Sequence, residues 1–186
     1  YLVETAAAQC DTLHLFVLSE DASLVPFTVR KKLVQAGVAH IPNVVLHDSG
    51  PYIISSATFP SYFLKDAAAV IEGHARLDLA VFTKIAGALN VTRRFVGEEP
   101  TSQVTGLYNE IMARELPKAG IECHVVPRKQ AAGQAISAST VRLALQKGDW
   151  ESLKMLVPQT TLDYFQSPEA APVLERIRRA DNVIHY

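Results

Sequence analysis

With 186 residues, the chain is long enough for a domain with a sizeable core, and its 48% hydrophobic and 20% charged residues exclude wholesale disorder. Its 18 Lys and Arg are balanced by 19 Asp and Glu, and the resulting net charge of −1 argues against a general nucleic-acid coat. Cys10 and Cys123 form no zinc spacing, which suits a reducing, cytoplasmic compartment. No apolar run approaches the roughly 20 residues of a membrane helix.

Apolar periodicity predicts helices that alternate with short strands along the chain. The run from Leu13 to Leu18 is short and almost wholly apolar, which is typical of a strand buried on both faces. The first predicted elements are a helix with Leu2, Val3, Ala6 and Ala7 on one face, this strand, a helix from Pro26 with Val29, Leu33, Val34 and Val38 on one stripe, and a strand over 43–46.

The same alternation continues after a less regular stretch over 49–65. The later predicted elements are helical residues 66–90 broken near Gly73, a strand over 94–96, a helix over 104–116, a strand over 121–126, a helix over 139–146 that stops near Gly148, a helix start capped by Asp149, and a helix over 172–180. This order predicts an α/β fold with a mostly parallel sheet. Ligands of such sheets bind beyond the carboxyl ends of the strands, here residues 19–21, 47–50, 97–100 and 127–139.

Hydroxyl side chains cluster in the segment Ile136–Arg142, where one predicted helix begins. Ser137, Ser139 and Thr140 lie among backbone N–H groups that, together with the helix dipole, attract an anion. A plain Ser or Thr cap explains the same residues. With Ser139 as the cap, Arg142 falls in the first turn, where a cation costs roughly 0.3–1 kcal/mol unless it meets a phosphate. The segment therefore indicates phosphate binding as an alternative to a simple cap.

The turn Gly97–Pro100 follows a predicted strand. A glycine there permits the close approach of a ligand. The adjacent carboxylates of Glu98 and Glu99 would repel a triphosphate but suit ribose hydroxyls, an amino group or a metal, and a solvated acidic turn is the alternative. In the basic run over 30–32, only Arg30 is placed so that it could point toward the strand ends.

The histidines form no recognisable catalytic order. His14 lies inside an apolar strand and is typical of a satisfied core residue. His47 ends a predicted strand and lies nearer to a candidate site. No Ser-His-Asp arrangement can be defended from these positions.

Apolar and aromatic residues fill the segment Tyr52–Lys65, where a loop is expected. Two interpretations follow from this composition. The segment is either an exposed patch that binds a partner or an acyl group, or a lid that covers the core.

Together these segments resemble a nucleotidyltransferase superfamily with a His-x-Gly-His signature near its start and Ile-Ser-x-Ser/Thr-x-x-Arg near its end. Ile136, Ser137, Ser139 and Arg142 match the second signature residue for residue. Within that superfamily the chain, up to about Leu145, resembles the citrate lyase ligases. The segments that carry this resemblance are Leu13–Val17, Pro26–Phe27 with Arg30, Tyr52–Lys65, Arg94–Gly97 with Glu99–Pro100, and Ala135–Arg142.

The resemblance implies a Rossmann-like, mostly parallel sheet that lacks its first strand in this chain. The family's first signature, Asn-Pro-x-Thr-x-Gly-His, is expected immediately before Tyr1, and an acetyltransferase-like domain is expected further upstream. We therefore expect the native protein to extend N-terminally, and the chain alone to bind ATP poorly and to catalyse little. The expected organisation is a nucleotidyltransferase-like catalytic domain over 1–148 and C-terminal helices over 149–186 packed on the same domain.

The family's reaction implies ATP-dependent acetylation of the thiol prosthetic group of the citrate lyase acyl carrier subunit through acetyl-adenylate. The implied partners are ATP with Mg²⁺, acetate and the carrier, with no nucleic acid, membrane or dedicated metal site. Arg142 is the implied catalytic residue. The implied ATP-binding residues are Arg30, Gly97, Glu98, Glu99, Ile136, Ser137, Ala138, Ser139, Thr140 and Arg142.

Three other functions stay open at this point. The first is a different adenylyltransferase of the superfamily, such as one that acts on phosphopantetheine. The second is a non-enzymatic module that docks the carrier subunit. The third, a Rossmann-like domain of unrelated function, leaves Tyr52–Lys65 and the Ser/Arg segment unexplained.

Overall fold

The computed structural model describes residues 1–62, 68–100, 102–131 and 133–183. The chain divides into two compact units. The first unit comprises Tyr1–Glu20 and His47–Arg128, and the second comprises Asp21–Leu46 and Lys129–Tyr186. The domain boundary expected after residue 148 stays a prediction.

The helices of the described residues follow the predicted order, with ends shifted by a few residues. They are α1 (Leu2–Ala7), α2 (Phe27–Val38), α3 (Ala68–Ala88), α4 (Gln103–Glu115), α5 (Ala138–Lys147), α6 (Trp150–Leu156), α7 (Gln159–Gln166) and α8 (Ala171–Arg179). Short 3₁₀ turns lie at Pro60–Tyr62, Leu116–Ala119 and Pro168–Ala170. The predicted cap at Asp149 is confirmed, because its carboxylate accepts a hydrogen bond from Ser152 N at 3.0 Å.

The strands are short, and the described residues place them in three separate pairs. They are β1 (Leu13–Val17), β2 (Val44–Asp48), β3 (Arg93–Gly97), β4 (Glu122–Val126), β5 (Gln130–Ala131) and β6 (Gln134–Ala135). β3 and β4 are parallel, in register from Arg93 opposite Glu122 to Gly97 opposite Val126. β1 pairs with β2, and β5 pairs antiparallel with β6. The α/β class is confirmed, whereas these strands do not form one continuous sheet.

A cavity of about 960 Å³ lies beside β1 and β3 in the first unit. Its walls include Leu13–Phe16 of β1, Arg93–Val96 of β3 and Phe82 of α3. Leu13–Phe16 are only half-buried and Val17 alone in β1 is buried, so the prediction of a strand buried on both faces is wrong. The cavity explains the difference, because no described strand covers this side of β1.

Helix α3 is continuous from Ala68 to Ala88, so the predicted break near Gly73 is wrong. Gly73 is exposed, and a Cβ added there would meet nothing within 4 Å. A glycine in a helix interior costs only about 1 kcal/mol relative to alanine. Residues at helical spacing on the buried face outweigh that cost, namely Ile71, Ala75, Leu79, Phe82 and Ala86.

The fully buried carboxylate of Asp78 joins α3 to α4 and to the segment after β2. Its Oδ1 accepts hydrogen bonds from Ile54 N at 2.6 Å and Thr58 Oγ1 at 2.8 Å. Its Oδ2 accepts from Tyr108 Oη at 2.5 Å. Burial raises the pKa of Tyr108, which keeps the phenol protonated as a donor. A buried carboxylate is tolerated here because three donors satisfy it.

Arg94 extends this network to β3. Its Nη2 lies 3.4 Å from Tyr108 Oη, and its guanidinium carbon lies 4.1 Å from the centre of the Phe82 ring. Arg94 Nη1 is buried and has no hydrogen-bond partner among the described residues. The network therefore joins β3, α3 and α4 around one acidic and one basic side chain.

Helices α5 to α8 form the core of the second unit together with Leu24. Val29 and Leu33, from the stripe predicted for α2, pack against this core. Its buried members are Leu24, Ala144, Leu145, Leu153, Leu162, Tyr164, Phe165, Ala170, Val173, Leu174, Ile177 and Val183. The sequence pattern predicted only the start of α6, at its Asp149 cap, and did not assign α7. Each helix is at most eight residues long and shows too few periodic positions.

We expect Asp78→Ala to lower the free energy of unfolding by at least about 3 kcal/mol, since three buried donors lose their acceptor. Asp11→Ala is the matched control, because Asp11 is exposed and should change the value by less than about 0.5 kcal/mol. Urea unfolding followed by circular dichroism measures both. Equal effects of the two substitutions would contradict the structural role of Asp78.

Candidate functional site

Three hydroxyl groups converge where α5 begins. Ser137 has an extended backbone, and its Oγ accepts a hydrogen bond from Thr140 N at 3.1 Å. The same Oγ lies 2.9 Å from Ser139 Oγ and 2.6 Å from Thr140 Oγ1. The predicted cluster of hydroxyls at a helix start is therefore confirmed. It lies beside the backbone N–H groups of the first turn, of which Thr140 N already donates to Ser137 Oγ.

The alternative of a Ser cap is confirmed, but the cap is Ser137 and not Ser139, the position considered from the sequence. Helix α5 begins at Ala138, so Ser137 is the cap and Ser139 already lies in the first turn. Arg142 is then the fifth helical residue, beyond the turn in which the helix dipole acts strongly. Arg142 is therefore not a first-turn cation that opposes the helix dipole. Its contacts must explain why an arginine stands at this position.

Arg142 is a buried cation, with 8% of its surface exposed. Its Nε donates to the carbonyl oxygen of Val183 at 2.6 Å. Burial lowers the pKa of Arg142, but an arginine stays protonated under any physiological condition. The side chain is thus held against the C-terminal end of the second unit, and its catalytic role stays a prediction.

Arg30 lies in α2 and is directed back toward the residues that precede the helix. Its Nε donates to Val25 O at 3.1 Å, and its Nη2 lies 3.6 Å from Asp21 Oδ1. The same Asp21 oxygen accepts from Phe27 N, the first residue of α2, at 2.5 Å. A carboxylate of the chain itself thus lies at the α2 N-terminus, and ATP binding by Arg30 stays a prediction.

The turn after β3 is closely tied to the first unit. Gly97 O accepts from Asn109 Nδ2 at 3.0 Å, and Glu98 N donates to Val126 O at 2.9 Å. A Cβ added to Gly97 would make an ordinary contact with Leu2 at 3.8 Å. Packing in the first unit therefore does not require glycine at this position, and the close approach of a ligand stays a prediction.

The two carboxylates of this turn have different environments. Glu99 forms a salt bridge with Arg128, in which the two side chains are 11% and 23% exposed. Glu99 Oε1 also accepts from Ser102 N at 3.0 Å, and Arg128 Nε donates to Glu98 O at 2.7 Å. Glu99 is therefore neutralised, whereas the side chain of Glu98 is exposed and remains suited to hydroxyl or amino groups.

Arg128 is the residue of this turn that sequence reasoning did not single out. It follows β4, within residues 127–139 that were predicted to lie at the ligand-binding edge. Parallel pairing of Gly97 with Val126 places the residues after both strands side by side. The sequence did contain an indication, namely a basic residue after one strand and two glutamates after another. Recognising that they face each other required the register of the two strands.

His14 and His47 contact each other in the first unit. His14 Nδ1 lies 2.9 Å from His47 Nε2, and the ring of Phe16 stacks on His47 at 4.9 Å. Burial and the facing ring of His14 lower the pKa of His47. His14 has a hydrogen-bond partner in His47 but is only half-buried beside the cavity, so its predicted place in the core is wrong. Strand β2 extends to Asp48, so His47 lies inside the strand rather than after it.

The segment after β2 mostly covers the core rather than forming an exposed patch. Ile53 and Phe59 are buried at 3% and 0% exposure, whereas Tyr52 is 60% exposed. Ile54 has φ of 46°, a strained value for a β-branched residue, and its N–H is held by the carboxylate of Asp78. The remainder of the predicted segment, residues 63–65, lies outside the described residues.

No group of three or more His, Cys, Asp or Glu side chains in the described part of the chain has the geometry of a metal site. Among the same residues, no helix combines the length and the apolar character needed to cross a bilayer.

Gly97, Glu98 and Glu99 belong to the first unit, whereas Arg30 and Ile136–Arg142 belong to the second. Within the second unit the three hydroxyls of Ser137, Ser139 and Thr140 lie together. Within the first unit the turn residues Glu98 and Glu99 lie together with Arg128.

We expect Ser137→Ala to destabilise the protein by about 1 kcal/mol, because Thr140 N loses its cap. Ser139→Ala is the matched control within the same turn, and it should cost less than about 0.5 kcal/mol because alanine is favourable inside a helix. Thermal unfolding of both variants measures the difference. A larger effect at Ser139 would restore the cap assignment made from sequence.

Similarity to known proteins covers most of the chain. The family described as "Citrate lyase ligase C-terminal domain" matches residues 1–165. Proteins named [Citrate [pro-3S]-lyase] ligase are 45% identical over 172 residues in Haemophilus influenzae, 43% over 169 in Klebsiella pneumoniae and 43% over 173 in Escherichia coli.

These alignments include 89%, 88% and 90% of the chain, respectively. They include 51%, 49% and 49% of the relatives, so the chain spans about half the length of the curated relatives that it matches. The match extends over both units, from α1 to within α7.

Proposed function

The chain belongs to the citrate lyase ligase C-terminal domain family, and from this premise we propose that the full-length protein uses ATP to acetylate the thiol prosthetic group of the citrate lyase acyl carrier subunit. An acetate oxygen attacks the α-phosphorus of ATP, which forms acetyl-adenylate and releases pyrophosphate. The deprotonated thiol then attacks the acetyl carbonyl, which forms the thioester and releases AMP. The convergence of three hydroxyls on the N-terminus of α5 is the structural observation that carries this proposal.

Positioning and charge stabilisation are the main contributions that the chain makes to such a reaction. In the proposal, the segment Ile136–Thr140, including Ala138, binds the β and γ phosphates through hydroxyls and backbone N–H groups. Arg142 stabilises the charge that develops on pyrophosphate as it leaves. Its planar guanidinium is suited to paired phosphate oxygens.

The remaining proposed contacts concern the nucleoside and the cation. Gly97, Glu98 and Glu99 border ribose and adenine, with exposed Glu98 the better candidate for a direct hydrogen bond. Arg30 contributes a further positive charge. Mg²⁺ arrives with the phosphates of ATP, since Mg²⁺ is commonly bound by substrate phosphates and only one or two carboxylates.

The proposed Rossmann-like sheet is completed by a strand from the N-terminal part of the full-length protein. The cavity beside β1 and β3 supports this proposal, because strand edges and half-buried side chains face it from both strands. A strand inserted there would pair with both edges and give the order β2-β1-inserted-β3-β4. Its carbonyl groups would also be potential acceptors for Arg94 Nη1.

Exchange of pyrophosphate into ATP tests the adenylation step in the full-length protein. We expect Arg142→Ala to lower acetate-dependent exchange by about 100-fold or more, as for the loss of a charge-stabilising donor. Arg178→Ala is the matched control, because Arg178 is an exposed residue of α8. Unchanged exchange in Arg142→Ala would refute the role of Arg142.

The same assay separates the other two functions. Exchange that depends on 4′-phosphopantetheine instead of acetate would identify a different adenylyltransferase. Tight binding of the carrier subunit by a full-length protein that binds no ATP would identify a docking module. Either result would refute acetyl-adenylate formation.

Hydrogen exchange tests the completed sheet. In the full-length protein we expect amides of both β1 and β3 to exchange at least about tenfold more slowly than in residues 1–186 alone, because the inserted strand pairs with them. Amides of α4, in the same unit, serve as the control for unfolding of the shorter chain. Equal protection of β1 and β3 in the two proteins, with α4 equally protected, would contradict the inserted strand.

A further inference from the structure

The C-terminal end of the described chain holds the side chain of Arg142. Arg142 Nε donates to Val183 O at 2.6 Å, and both residues are buried in the second unit. Val183 is 3% exposed and belongs to the core formed by α5 to α8. Its carbonyl is therefore anchored by the burial of its own side chain.

A second side chain on α5 attaches the same part of the chain. Gln146 lies one turn after Arg142, and its Nε2 donates to Ala180 O at 3.0 Å and to Ile177 O at 3.4 Å. These carbonyls lie at the C-terminal end of α8, where the helix leaves acceptors unpaired. One face of α5 thus binds the end of α8 through Gln146 and the following residues through Arg142.

The family match ends at residue 165, before α8 begins at Ala171. The segment Ala171–Val183, which we name the C-terminal clasp, therefore lies beyond the residues that the family model matches. The clasp nevertheless contacts the arginine of the Ser/Arg segment directly. Sequence similarity alone gives no reason to expect that contact.

We propose that the C-terminal clasp is a positioning element for Arg142, through the hydrogen bond from Nε to Val183 O. This inference rests on the proposed function, in which Arg142 contacts the phosphates of ATP. An arginine side chain has many rotamers, and fixing one of them before ATP binds removes that entropic cost from the binding step. The carbonyl is a neutral acceptor, so it orients the guanidinium without cancelling its charge.

The test is a double-mutant cycle on the full-length protein with ATP as the probe. Deletion of residues 182–186 removes the carbonyl, and we expect it to raise KM for ATP in acetate-dependent exchange by about tenfold or more. The deletion should have no further effect on KM in the Arg142→Ala background, because the clasp acts through that side chain. Arg142→Lys, which keeps the charge but has no Nε donor, should be equally insensitive to the deletion.

Gln146→Ala is the matched control, since it loosens α8 without removing the bond to Arg142 and should leave KM unchanged. If the deletion unfolds the protein, the same cycle with Val183→Ala, which weakens the anchor of the carbonyl, decides the question. Additive effects on KM in the cycle, an unchanged KM or a lowered KM would each overturn the positioning role. Failure of Arg142→Ala alone to change exchange would instead refute the role of Arg142 in the proposed function, on which this inference rests.

Discussion

The buried carboxylate of Asp78 is the interaction on which the first unit depends. Its three hydrogen bonds fix the segment after β2, the hydroxyl of Thr58 and the phenol of Tyr108 against one turn of α3. An uncompensated carboxylate in this core would be very unfavourable, so the three donors must remain in place together. The same requirement holds Ile54 in a strained conformation and links α4 to Arg94 on β3.

In the second unit, helix α5 has two structural roles. Its first turn presents the hydroxyls of Ser137, Ser139 and Thr140, and its next turns bind the end of α8 through Arg142 and Gln146. A buried face and a polar N-terminus on one helix couple the proposed phosphate contacts to the packing of the unit. In our proposal, the C-terminal clasp acts on the phosphate contacts through the side chain of Arg142.

Charged residues that resemble ligand contacts in the sequence already have partners within the chain. Glu99 pairs with Arg128, Arg30 lies near Asp21, and Arg142 donates to Val183 O. Such contacts reduce the cost of ordering long side chains when a ligand binds. The carboxylate of Glu98 accepts a long hydrogen bond, at 3.4 Å, from Arg128 N, and it is exposed at the end of β3.

The sequence by itself determined the α/β class, the order of the main helices and strands, and the cluster of hydroxyls before α5, because these follow from local periodicity and from the chemistry of helix starts. It also determined the family, through residues such as Ile136, Ser137, Ser139 and Arg142. Only the tertiary structure decided that Ser137 is the cap, that α3 passes unbroken through Gly73, and that β1 borders a cavity. The partners of Arg142 and Glu99 were likewise beyond sequence reasoning. A hydrogen bond across 41 residues, or an ion pair across 29, depends on how distant elements pack, and local pattern carries no information about that packing.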